Sequence, residues 1–180
     1  MEKKFELTDK FVFNTFGIKL FQIKCTKSFK YAKEGDLGGY VEKDENLDQE
    51  SDAWVYGNAQ VSGNARVSGN AQVSGNARVS GNAWVSGNAQ VSGNAWVSGN
   101  ADIENDNNHC GFDCFGSFNR HTHAYLTKDN KVEITCGCFR GSIEEFEKKV
   151  EKTHSGTIYE KQYKAIINVI KIKFGLTDLI

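Results

Sequence analysis

The sequence predicts a mainly β protein whose middle third is a solenoid of short strands, preceded by a strand cap and followed by a small α+β module. Three observations carry that reading. From Val55 the chain reads VYGNAQ, VSGNAR, VSGNAQ, VSGNAR, VSGNAW, VSGNAQ, VSGNAW and VSGNAD, eight six-residue units closed by Ile103. Of the 180 residues, 18 are glycine and none is proline, and eight of the glycines mark the same place in each unit. The charge lies almost entirely in the flanks, because residues 55–101 carry only Arg66 and Arg78.

A period of six fits neither the 3.6 residues of a helical turn nor a simple hairpin array. In a short Ala-x-Val-Ser strand, alanine and valine face one way, and x and serine face the other. Gly-Asn then falls at a corner, where left-handed backbone angles are tolerated. A single unit cannot bury its valine, so the units must coil and stack. Phased valines also separate this stretch from a disordered Gly/Ser tract. A weaker copy, QESDAW, begins at Gln49.

This pattern resembles the hexapeptide-repeat family of left-handed parallel β-helices, in which three units close a triangular coil of 18 residues. The resemblance implies about three coils here. It also implies stacked outward columns: Trp54 with Gln72 and Gln90, Gln60 with Arg78 and Trp96, and Arg66 with Trp84 and Asp102. With coils about 4.8 Å apart, Arg66 is expected beside Trp84 and Arg78 beside Trp96, in reach of cation–π stacking. Trp54, Arg66, Arg78, Trp84 and Trp96 are therefore the candidate binding residues, since three outward tryptophans exceed what a solvated surface needs.

Residues 1–48 are read as a β cap of two to four strands, with a turn at Asn14 to Gly17 and the stretch from Gly35 to Glu42 covering the first coil. Residues 49–103 are the solenoid, and residues 104–180 the α+β module. In that module, two alternating segments flank Asp129-Asn130, a two-residue hairpin turn. Such a turn would set His123 opposite Cys136 and His121 opposite Cys138, all on one face, a zinc-type ligand set. A flat strand pair and a Cys-x-Cys spacing argue against metal. The expectation is no metal and no cofactor, with small thiols packed under the helices. Cys110, Cys114 and His109 read as loop residues. A helix is expected over 143–154, with Ser142 and Glu145 as its capping box. A second, over 159–174, has Tyr163, Ile166, Ile167 and Ile170 on its apolar stripe and stops at Gly175.

Lysine and arginine number 22 against 23 acids, which gives no basic surface for nucleic acid or an anionic membrane. No apolar run approaches a membrane span and the start lacks a signal-peptide core. A soluble intracellular protein is expected, its five cysteines reduced.

The stretches Gly35-Asp-Leu-Gly-Gly-Tyr-Val-Glu, Asn46-Leu, Trp54-Val-Tyr-Gly-Asn-Ala and Gly137-Cys-Phe-Arg-Gly-Ser-Ile-Glu-Glu-Phe make the whole chain resemble a group of phage and prophage proteins with a solenoid between two modules. That resemblance implies action in the cytoplasm of a bacterial host. It also implies a counter-defence role through binding a host defence protein or sequestering a nucleotide signal. The solenoid family implies a homo-oligomer, with a trimer favoured. Hexapeptide acyltransferases are the enzymatic alternative. They place a histidine near a coil boundary, whereas residues 55–103 hold no histidine and no inserted loop.

Overall fold

The computed structural model describes residues 3–176, which fall into two compact units that divide between Asp106 and Asn107. The first unit joins the cap to the solenoid. It opens with an antiparallel hairpin, β1 (Phe5–Phe13) and β2 (Lys19–Cys25), whose turn lies where the sequence places it, with Gly17 N–H donating to Asn14 O. Strand β3 (Leu37–Val41) pairs antiparallel with β2.

The solenoid strands are two residues long and recur every six. They are β4 (Trp54–Val55), β5 (Gln60–Val61), β6 (Arg66–Val67), β7 (Gln72–Val73) and β8 (Arg78–Val79). The series continues with β9 (Trp84–Val85), β10 (Gln90–Val91), β11 (Trp96–Val97) and β12 (Asp102–Ile103). They pair in parallel at a spacing of 18 residues, Trp54 to Gln72 to Gln90, Gln60 to Arg78 to Trp96, and Arg66 to Trp84 to Asp102. Every valine from Val55 to Val97 and every repeat alanine is buried, so the inward face is the predicted one. Corner amides extend the stacking on the outside, Asn58 Nδ2 donating to Asn76 Oδ1 and Asn76 Nδ2 to Asn94 Oδ1. At the corner itself, Gly69 takes φ +66°, and a Cβ there would lie 2.8 Å from the Gly87 nitrogen, so coils stack this closely only through glycine.

The solenoid has about four turns, where three coils were expected. The difference lies in residues that the sequence assigns to the cap. Strand β3 pairs in parallel with β5, Tyr40 against Gln60, and Leu47 bridges to Val67. These form an incomplete turn below the first full one. Its job is to satisfy carbonyls that no coil precedes. Tyr40 N–H donates to Ala59 O, Glu42 N–H to Val61 O and Asp48 N–H to Val67 O, while Asn46 Nδ2 reaches both Gly63 O and Ala65 O. On the third side a side chain takes over: Lys4 Nζ donates to Ser51 O at 2.7 Å and Ala53 O at 2.9 Å.

The second unit is a four-stranded antiparallel meander, β13 (His109–Phe115), β14 (Arg120–Leu126), β15 (Val132–Cys136) and β16 (Phe139–Ser142). Helices α1 (Ile143–His154) and α2 (Ile158–Lys173) follow, within a residue of the predicted spans. Ser142 caps α1 in the expected box, its hydroxyl accepting from Glu145 N–H and its own N–H donating to the Glu145 carboxylate. The helices cover one face of the sheet, burying Ile134, Phe146, Val150, Tyr163, Ile166 and Ile170. No helix among the described residues is long and apolar enough to cross a membrane.

Candidate interaction surface and the histidine cluster

The three outward tryptophans meet different fates. Trp54 is 1% exposed, its indole held between the rings of Phe5 and Phe29 at 6.4 and 5.5 Å. It points out of the solenoid as predicted, but the cap covers it, so it is a core residue of the cap and not a binding residue. Trp96 is partly buried, and Phe16 from the hairpin turn lies 6.2 Å from its ring. Trp84 stays 45% exposed.

Arg66 and Arg78 stand beside Trp84 and Trp96 in the ladders, as the 18-residue period requires. Elsewhere in the chain Lys4, Lys19, Lys30 and Arg120 make cation–π contacts with phenylalanine and tyrosine rings.

Trp84 and Arg66 line a cleft of about 490 Å³ that the incomplete turn overhangs. Leu47 and Val67 give it an aliphatic wall, and Asp44, Glu45, Asp48 and Glu50 stand along its rim. Lys3 Nζ holds Asp44 at 2.6 Å, leaving the rim acidic overall. An indole with carboxylates around it suits a cationic side chain and repels phosphate. The sequence could not show this cleft, because its acidic rim comes from residues that read as part of the cap and of the weak first copy of the repeat.

The candidate ligand set of His121, His123, Cys136 and Cys138, from which no metal site was expected, is not assembled. Thr122, not His123, pairs with Cys136, and His123 pairs with Thr135. The hairpin loop has three residues, with Thr127 N–H donating to Lys131 O and Asn130 at φ +54° closing it. One added loop residue shifts every side chain on one strand to the other face. Cys136 is therefore buried under the helices beside Thr122, whose hydroxyl lies 3.3 Å from its Sγ. Cys138 is exposed in the tight turn between β15 and β16. His121 and His123 lie on the opposite face.

There they meet His109, which comes from a strand and not from the expected loop. His109 Nδ1 and His123 Nε2 are 2.9 Å apart, the His121 and His123 rings 5.6 Å, and His121 Nδ1 lies 2.7 Å from Asp113 Oδ1. Two imidazoles at that distance share one proton, each fixing the tautomer of the other. Among the described residues no group of three or more histidine, cysteine or acidic side chains has metal-binding geometry. Cys110, its thiol pushed up to about 11 by burial, is a poor nucleophile.

No curated protein matches the chain. Within the solenoid, residues 59–71, 71–87 and 89–102 match the model of the YdcK beta solenoid repeat, so the coils are similar to that repeat family over this part of the chain.

Proposed function

We propose that the protein is a non-enzymatic binding scaffold, and that the cleft at Trp84 takes a basic segment of a protein partner. One observation carries this: a large indole 45% exposed at a cleft of about 490 Å³ with an acidic rim. An acidic rim favours a lysine or arginine over a nucleotide at this position. The phage-type resemblance of the flanks makes a host defence protein the partner class, met in the bacterial cytoplasm. The resemblance of the repeats to hexapeptide solenoids supports a homotrimer. All four histidines lie outside the repeats, which leaves an acyltransferase of that family without its base.

The test uses Trp84→Ala with Arg66→Ala as companion. Neither removes an inward side chain, so the melting temperature should hold. Capture of the host partner should weaken by about 2 kcal/mol for Trp84→Ala, as for an interface anchor. Full capture by both variants, with loss on His123→Asn, would sink the scaffold reading and favour an enzyme centred on the second unit.

A further inference from the structure

The second unit holds a small cavity, about 200 Å³, that is unlike the acidic cleft in every respect. It lies between the sheet and the two helices. Phe118, Phe139 and Phe146 give it aromatic walls, and the buried Tyr163 stands within it. Three cationic or protonatable side chains reach it from different elements: Arg120 from β14, Lys149 from the middle of α1 and His154 from its end. No aspartate or glutamate lines it. Elsewhere in the same unit Lys164 pairs with Glu160, Lys171 with Glu147 and Arg140 with Glu133. Arg120, Lys149 and His154 have no carboxylate partner among the described residues.

Two of the polar heads are held in place. Arg120 lies over the Phe118 ring at 4.7 Å, and the His154 ring lies 5.5 Å from that of Tyr163, tilted by 30°. Gly116, at φ +74°, makes room for the Tyr163 hydroxyl, since a Cβ there would sit 2.0 Å from the oxygen. Its N–H donates to Gln162 Oε1, which ties this loop to α2. Burial, and then the neighbouring Cys136, push the Tyr163 hydroxyl up to about 12, so it keeps its proton and can donate. A helix end explains His154 alone, through the helix dipole. It does not explain why Arg120 and Lys149 converge on the same unneutralised space.

We propose that this cavity is a binding site for a small oxyanion, a phosphate monoester or a carboxylate, carried on a compact aromatic or aliphatic body. Arg120 and Lys149 would hold the charge, Arg120 as a fork and Lys149 as a point charge. The phenylalanines would bury the body, and the volume admits one ring but not a nucleotide. This goes beyond the proposed scaffold role and does not depend on it, because the two sites lie in different units.

The experiment is an amide-resolved NMR titration of the full chain with phenyl phosphate, benzoate, inorganic phosphate and phenol. Phenyl phosphate or benzoate should give saturable shifts at Gly116, Arg120 and Gly137, and whichever binds tighter names the headgroup. Inorganic phosphate, lacking the body, should bind at least about fivefold more weakly, and phenol, lacking the charge, likewise. Arg120→Gln and Lys149→Gln should each weaken binding about fivefold or more, with Lys164→Gln as the unchanged control. Both test residues are exposed on the surface, and if Arg120→Gln loses its fold, Lys149→Gln carries the decision. Equal binding of phenol, absence of saturable shifts for every anion, or indifference to both substitutions would each overturn the proposal.

Discussion

Lys4 is a cation placed where an open solenoid end leaves carbonyls without donors. It is 6% exposed, and burial lowers its ammonium to about 8. The unfolded chain still binds that proton up to about 10.5, so folding pays most for Lys4 below pH 8, and the penalty is relieved as pH rises from 8 toward 10.5. Melting temperature should therefore climb more, or fall less, over that window in the native protein than in Lys4→Met. Parallel pH profiles for the two proteins would refute the assignment. Val79, fully buried in the middle coil, makes the opposite test of the inward face. Val79→Asp places an unpaired carboxylate there and should cost several kcal/mol, about 3 or more. Gln72→Lys, on the outward side, should shift stability by less than about 0.5 kcal/mol. The inward assignment was legible because valine and alanine repeat in phase. The role of Lys4 was not, because its partners are carbonyls, which leave no mark on the sequence.

At the scale of elements, local chemistry wrote some features clearly. The box at Ser142 and the apolar stripe of α2 place both helices within a residue. Ser142→Ala should cost about 1 kcal/mol, read from the denaturant midpoint of the second unit. The hairpin went otherwise, since Asp129-Asn130 fits a two-residue loop by composition and a three-residue loop by hydrogen bonding. That one-residue ambiguity separates the histidines from the cysteines. Strand β13 was missed for another reason. Glycine at 111 and the acid at 113 break its pattern, yet Gly111 is where the His121 ring packs: a Cβ there would meet it at 2.7 Å. Gly111→Val should therefore disturb the histidine face and leave the helix-covered core intact, seen as shifted His121 and His123 ring signals with unchanged Ile166 and Ile170 methyls.

At the scale of the molecule, two cavities of opposite electrostatic character sit in separate units of a chain with a net charge of −1. Whole-chain charge conceals both, which is why composition excluded a basic surface and still missed a cationic pocket. The same scale decides assembly. If the solenoid is the trimer contact, Trp84→Ala combined with Trp96→Ala should reduce the solution mass from three chains toward one while the circular dichroism spectrum is kept. An unchanged mass would remove the solenoid from the assembly interface.

The corner asparagines and paired strands return to the same column every 18 residues, and one full coil differs from the next only in its outward side chains. The coils are therefore interchangeable parts, and the gene behind them can lengthen or shorten the rod by whole turns. Removing residues 61–78 would join Gln60 to Val79, keep every valine in phase and shorten the stack by about 4.8 Å. Removing only residues 86–91 would turn everything downstream by a third of a revolution, so Ile103 would no longer lie over Val85. Length in this protein is quantised.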